Sequence, residues 1–432
     1  MMKFFMVIMM MIMMPSPKKL VINYSLVMLL FNLNMQKQEV SKISYFMWGD
    51  ELSFWTFDLS LWIGFVLIFN KINQPKIYSK SVFTMLILLM MTFYSWNLMM
   101  FYLMFEMSMI VVLMIIMTWG YQPERVEAAL FMIMMTVMTS LPFITTMMNN
   151  SINLSLWNIQ YMEVNKWEYL SLMLVFMMKM PTMFLHMWLP KVHVESPVQG
   201  SMLLASILLK LGSYGLIRMT STNSEMNNKL EWIILSFSLW TALSLSMICF
   251  MQTDLKTMIA YSSVVHMTLV FATITLDKSK SMLGGMYIMI GHGMCSAGLF
   301  YMANIMYKNS KSRSIIINKS MFSMNSSAMM MWFFMCMSNS PMPPSINFMG
   351  ELFSLKSIMN WSSTSSTVVV TMTMIMFSSS LYSIFMFYVI AHGMLSKSTN
   401  TVKIFNSKNM NTTSMLIIPM VMISINPDLL II

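Results

Sequence analysis

Apolar runs of roughly 20 residues, each long enough to cross a bilayer as a helix, follow one another through almost the whole chain with only short polar breaks between them. Inside hydrocarbon every backbone N–H and C=O must find its partner within the protein, which makes the helix the default spanning structure for such runs. The expected fold is therefore an all-α polytopic membrane protein, and the 432 residues form a single transmembrane domain. Only 10% of the residues are charged, against about 25% in an ordinary soluble domain, and a water-soluble fold is excluded on that ground.

Fourteen spans are read, near residues 1–14, 20–32, 55–70, 81–96, 97–118, 127–147, 168–189, 197–218, 231–250, 256–276, 281–306, 326–358, 366–389 and 412–431. The opening stretch, with Lys3 ahead of an apolar run, mimics a secretory signal, but no small-residue cleavage site follows and it is kept as the first helix. Met is used 66 times, often where other proteins place Leu or Ile. Thioether side chains are flexible apolar filler. Ligands for a copper path would come in spaced, facing clusters, whereas these are spread over every segment.

The three cysteines, Cys249, Cys295 and Cys336, stand isolated in apolar runs and offer neither a disulfide framework nor a cluster spacing. Loops after odd-numbered spans carry fifteen basic residues, from Lys18 to Lys408, and loops after even-numbered spans carry eight, from Lys37 to Lys356. The net charge of +10 thus encodes orientation rather than nucleic-acid binding, and the excess places the odd loops on the inner face and both termini outside.

A charge at a helix centre costs about 2.5 to 3.5 kcal/mol on insertion scales, so persistent ones need a reason. Glu106, Lys179, Lys210 and Glu351 all lie in apolar surroundings and together would cost on the order of 10 kcal/mol if unpaired. His186, His266 and His292 lie in apolar segments and His193 in a loop. Imidazole exchanges protons near neutrality, and carboxyl, ammonium and imidazole groups in series give stations whose proton affinities respond to neighbouring charge. That is the physical requirement of a proton relay, although any one of these residues could also belong to a buried ion pair that only fastens helices.

Prolines add a second pointer. Pro181, two residues after Lys179, interrupts the seventh span, and Pro341, Pro343 and Pro344 interrupt the twelfth just before Glu351. Proline frees carbonyls inside a helix, and paired broken helices mark the transport site in inverted-repeat transporters.

Leu-Pro-Lys-Val-His-Val-Glu-Ser-Pro (189–197) and the run Gly-Ser-Met-Leu-Leu-Ala-Ser-Ile-Leu-Leu-Lys-Leu-Gly-Ser-Tyr-Gly-Leu-Ile-Arg (200–218) resemble chain 4 of mitochondrial NADH:ubiquinone oxidoreductase, respiratory complex I. Trp-Gly-Tyr-Gln-Pro-Glu-Arg (119–125), Gln-Thr-Asp-Leu-Lys-Thr-Met-Ile-Ala-Tyr-Ser-Ser (252–263), Pro-Pro-Ser-Ile-Asn-Phe-Met-Gly-Glu-Leu (343–352) and Asn-Pro-Asp (426–428) agree with it, so the likeness covers about residues 80 to 432.

The resemblance implies an antiporter-like proton-translocating subunit of the membrane arm, built from two inverted five-helix repeats, about 80–220 and 230–390, with N-terminal helices over 1–79 and a C-terminal helix over 412–431. It implies that Glu106 pairs with Lys179 and that Lys210, His266 and His292 continue the path to Glu351, with His186 counted among the stations. By the same likeness the chain binds no cofactor: NADH, FMN, iron–sulfur clusters and ubiquinone belong to partner subunits. Its partners would be the other membrane-arm subunits, sister antiporter-like chains among them, and lipids of the inner mitochondrial membrane, with no nucleic acid. A free-standing cation/proton antiporter and a purely structural scaffold remain the competing readings, and no dinucleotide-binding glycine fingerprint is present.

The charge bias makes a direct prediction. Tags placed at the two ends should be digested by protease from the outer face and protected on the inner one; cleavage from the inner face would reverse the assigned orientation.

Overall fold

The computed structural model describes residues 24–25, 28, 41–42, 48–70, 76–95, 97–120, 122–149, 165–321, 325–361, 366–393 and 405–427. The first expected span lies outside these residues, and of the second only Tyr24, Ser25 and Met28 are among them.

From residue 51 onward each expected span is occupied by a helix or a helix pair. The first four are α1 (Glu51–Asn70), α2 (Lys76–Phe93), α3 (Leu98–Trp119) and α4 (Arg125–Asn149). The seventh expected span is two helices, α5 (Lys166–Lys179) and α6 (Trp188–Glu195). The eighth is α7 (Val198–Leu203), a π-helical turn (Leu204–Leu208) and α8 (Leu209–Thr222) in unbroken succession. Then come α9 (Ser224–Phe250), α10 (Leu255–Thr275) and α11 (Ser279–Ser310). The twelfth span is again two helices, α12 (Ser326–Asn339) and α13 (Ile346–Trp361), followed by α14 (Ser366–Ala391) and α15 (Ser407–Ile425). Among the described residues 8 helices are long and apolar enough to cross a membrane, counting α7 through α8 as one. A minimal antiparallel pairing of Ser41–Lys42 with Trp48–Gly49 precedes α1.

Burial separates an inner file from an outer one. The stretch from α7 through α8 is fully enclosed, and α10 and α11 are enclosed over 89% of their apolar windows. In contrast, α4 is only 39% buried and α3 only 44%. The exposed residues of α3, Met107, Ile110, Met114 and Met117, recur at three- and four-residue spacing and so form one helix face. On α4 and α14 Leu130, Met134, Met138, Val370, Met374 and Phe377 are exposed in the same manner. Uncharged apolar faces of this kind suit lipid or an apolar partner, and part of the Met usage lies on them.

Both expected interruptions are present, and each is closed by a side chain from beyond the break. Pro181 has no N–H to continue the ladder of α5, and the Met178 carbonyl instead accepts the Trp188 indole N–H at 3.2 Å. At the second break the Ser338 carbonyl accepts the Asn347 side-chain amide at 2.9 Å.

α11 is the spine of the second half, packed against α10, α12, α13, α15 and α1. Its approach to α13 is close because two glycines face each other: a Cβ on Gly350 would lie 2.8 Å from the Ile288 backbone nitrogen and 3.1 Å from the Gly284 carbonyl oxygen. α15 closes the bundle on the first described helix. The Trp62 indole donates to the Met415 carbonyl at 2.9 Å, and Lys408 Nζ donates to the Asn70 carbonyl at 2.8 Å. Tyr301 donates to Asn409 Oδ1 at 3.0 Å, binding α11 to the same helix.

Gly350→Ala should force α11 and α13 apart, because backbone cannot yield as a side-chain tip can. The expected result is a fall in apparent Tm of the detergent-solubilised protein, with overpacking of this kind typically costing about 1–3 kcal/mol; an unchanged melting curve would contradict the contact.

Candidate proton-relay site

The enclosed helices bring four of the expected residues into one line. Lys210 stands on α8 directly after the π-helical turn, and its Nζ donates to the Ala205 carbonyl at 2.8 Å. The same Nζ lies 2.8 Å from His292 Nδ1 on α11. For an ammonium donor, Nδ1 must offer its lone pair, which assigns the proton of neutral His292 to Nε2. A π turn inserts one residue into the helix; here the Leu209 N–H reaches the Leu204 carbonyl five residues back.

His292 and His266 follow, their ring centroids 5.6 Å apart and inclined at 41°. His266 Nδ1 is 3.3 Å from Glu351 Oε1, and His266 Nε2 is 3.3 Å from the Tyr382 hydroxyl of α14. The His266 and Glu351 contact is close without the alignment of a hydrogen bond, since these atoms have no hydrogen-bond partner by geometry. Lys210, His292, His266 and Glu351 are each at most 2% exposed, so the line is sealed from solvent along its length. Four helices, α8, α11, α10 and α13, contribute one member each.

Lys179 closes α5 at the lip of the first break and is 1% exposed. Close approach of α8 fixes it there: a Cβ on Gly212 would lie 2.9 Å from Lys179 Cβ and 3.0 Å from Met180 Cγ. The Lys179 ammonium sits 4.5 Å above the Phe105 ring centroid and has no hydrogen-bond partner among the described residues. Glu106, half-buried on α3 beside that phenylalanine, is within electrostatic reach of Lys179, but the two make no direct ion pair within 4.0 Å. Glu106 Oε1 is buried and unpartnered too. The pairing expected from the resemblance is thus an electrostatic proximity without a direct ion pair.

Several sequence expectations change. His193, read as a loop residue, is part of α6, fully buried and stacked on Phe300 at 4.7 Å and 9°. The apolar residues that precede it continue into the short helix after the break, which a loop assignment did not allow for. His186 lies in the break itself, half-buried against Tyr261 at 6.2 Å, and touches none of the four residues in line. Lys256, counted as a loop charge, is only 6% exposed and donates to the Val194 and Ser196 carbonyls at 3.3 and 3.2 Å. A cation there meets the negative end of the α6 dipole. Arg313 lies 3.4 Å from Glu195 at the same helix end. Arg218, also counted as a loop charge, forms an ion pair with Asp50 and is nearly buried.

Two buried polar groups were missed. The Tyr382 hydroxyl beside His266 was hidden in an apolar run with no charge to mark it. Asp58, inside α1, carries a buried Oδ1 with no hydrogen-bond partner, and the insertion cost that singled out the other four charges applies to it equally.

The family described as NADH:quinone oxidoreductase/Mrp antiporter, TM, matches residues 95–378. NADH-ubiquinone oxidoreductase chain 4 of Ceratitis capitata is 40% identical over 384 residues, covering 86% of this chain and 84% of that protein. The chain 4 proteins of Locusta migratoria, 37% identical with 82% of each covered, and Lumbricus terrestris, 35% identical with 93% and 91% covered, agree. In fold, a chain of respiratory complex I from Thermus thermophilus superposes with a TM-score of 0.87 at 18% identity, over 99% of this chain and 96% of that one. A chain of the Mrp complex from Dietzia sp. DQ12-45-1b gives 0.81 at 14% identity, over 93% of this chain but 46% of that one. With the matched region spanning the whole line of buried residues and these relatives covered over four fifths or more of their length, the chain belongs to the NADH-ubiquinone oxidoreductase chain 4 family of antiporter-like membrane subunits.

Proposed function

We propose that this chain translocates protons as a membrane-arm subunit of NADH:ubiquinone oxidoreductase in the inner mitochondrial membrane, through the buried relay and driven by quinone reduction elsewhere in the complex. The observation that carries the reading is the sealed line Lys210, His292, His266, Glu351, with a 2.8 Å contact at one end and a 3.3 Å contact at the other.

Transfer along it needs no other chemistry. The N–H bond of the Lys210 ammonium breaks as His292 Nδ1 takes the proton, leaving a neutral amine held by the Ala205 carbonyl. The imidazolium releases a proton from its second nitrogen toward His266, across the gap between the rings. His266 passes one to the Glu351 carboxylate, and Tyr382 holds the His266 ring in orientation through Nε2. Lys179 and Glu106 form the switch at the other end. Shortening or lengthening their separation changes how tightly each holds a proton, and with it the load on Lys210. The break at Met180 and Pro181 supplies the loose backbone on which such a movement can turn.

The chain 4 relatives and the even coverage of their length support a subunit of the oxidoreductase. Less than half of the Mrp chain is covered, and a free-standing antiporter is the weaker reading. On this reading NADH, FMN, the iron–sulfur clusters and ubiquinone are handled by partner subunits, and the neighbours are other membrane-arm chains, sister antiporter-like subunits and lipid. The two halves, 80–220 and 230–390, act as inverted repeats, each with its broken helix.

Glu106→Gln and Lys179→Met in the assembled complex, each checked by native gel, test this. Expected is collapse of proton pumping, by tenfold or more, together with quinone reductase activity. If assembly and pumping both survive, the charges are structural and a scaffold role replaces the relay.

A further inference from the structure

Asp58 lies outside the relay, yet its surroundings are those of a working group. Its Oδ1 is buried without a hydrogen-bond partner, and among the described residues no cation faces it; its titratable neighbours are Tyr24 and Tyr94. Leaving a buried carboxylate oxygen without cation or donor is costly, and a proton bound at Oδ1 would relieve that cost.

Tyr24 is occupied elsewhere, donating to the Leu61 carbonyl at 2.8 Å. Tyr94 is fully buried, packs on Phe57 at 5.7 Å between ring centroids, and its hydroxyl is unpartnered. That hydroxyl neighbours Ser53, Asp50 and Tyr214. Ser53 is tied to Asp50, accepting its N–H at 2.9 Å and donating to its carbonyl at 2.7 Å. Asp50 is the partner of Arg218, which also reaches the Tyr214 hydroxyl at 3.4 Å. The Asp50 and Arg218 side chains keep 18% and 11% of their surface exposed, so the polar file opens at that membrane face.

Depth connects this file to the relay. Asp50 and Arg218 meet at one end of α1 and α8, and Asp58 and Lys210 each lie eight residues further in, about 12 Å at 1.5 Å per residue. Leu59, next in sequence to Asp58, packs where a Cβ on Gly293 would be 2.8 Å from its Cδ1 and 3.3 Å from the Ser206 carbonyl. Gly293 follows His292, and Ser206 lies in the π turn before Lys210.

Resting on the relay reading above, we propose that Asp58 is a further proton-carrying residue, joined through Tyr94 and Ser53 to the Asp50 and Arg218 pair, and that this file is the relay's link to that membrane face. In the transfer step the O–H bond of the Asp58 carboxylic acid breaks and one forms at the Tyr94 oxygen. Tyr94 gives its own hydroxyl proton to Ser53 Oγ as the Ser53 O–H turns from the Asp50 carbonyl and releases its proton to the Asp50 carboxylate, so both hydroxyls end neutral and the proton ends on Asp50.

Asp58→Asn, Asp58→Glu, Tyr94→Phe and the relay control Lys179→Met are to be compared in the assembled complex, reading proton pumping, quinone reductase activity and the carboxylic C=O band in infrared difference spectra on adding NADH. The expected result is a fivefold or greater loss of pumping in Asp58→Asn and Tyr94→Phe, recovery to at least half in Asp58→Glu, and loss of one carboxylic band in Asp58→Asn alone. Normal pumping and an unchanged spectrum in Asp58→Asn, with Lys179→Met inactive, overturn this inference and leave the relay standing. Normal pumping in all of them overturns both. Should Asp58→Asn not assemble, Tyr94→Phe decides, and its normal pumping overturns the file.

Discussion

Within hydrocarbon an unpartnered backbone carbonyl costs several kcal/mol, and the architecture of this chain is organised around two places where carbonyls are set free. At each, the far half of the broken helix supplies the missing donor, Trp188 for Met178 and Asn347 for Ser338. Those bridges keep the two halves in register while leaving the backbone between them without a helical ladder. Lys179 ends the first near half, and Glu351 stands in the first turns of the second far half. Two of the buried ionisable groups are thereby seated at a break, Lys179, or within two turns of one, Glu351.

The π turn in the eighth segment serves a related end by other means. It leaves the helix continuous but resets the direction of everything after Leu208, and it aligns the Ala205 carbonyl as a rest for the Lys210 ammonium. An ammonium held by one carbonyl and one imidazole is desolvated without being locked into an ion pair, a condition suited to releasing a proton. Around this interior the exposed faces of α3, α4 and α14 need only be apolar.

Most of the fold was legible in the sequence because bilayer thickness imposes a length on every segment, and that constraint is local. The spans read at 55–70, 97–118 and 256–276 lie within four residues, at either end, of helices that run Glu51–Asn70, Leu98–Trp119 and Leu255–Thr275. Prolines announced both breaks for the same local reason. Four charges in apolar surroundings, Glu106, Lys179, Lys210 and Glu351, were legible from insertion cost. Their partners were not: Lys210 and His292 are 82 residues apart, and nothing in either segment states which helix packs on which. Lys256, Arg218 and His193 were misplaced because a basic or imidazole residue at the end of an apolar run reads the same whether it faces water or a helix C-terminus. Asp58 went unremarked in a segment whose other residues raise no question.

The ties from α15 back to α1 carry a consequence for biogenesis. Trp62 and Met415 are separated by 353 positions, and Lys408 reaches Asn70 across 338. During synthesis the first described helix must wait in the bilayer for almost the entire chain to emerge before its outer flank is covered. The spine helix, held to the same late helix through Tyr301 and Asn409, waits with it. A chain that stops near residue 390 holds Lys210, His266, His292 and Glu351 but lacks the helix that supplies the ties to Trp62, Asn70 and Tyr301.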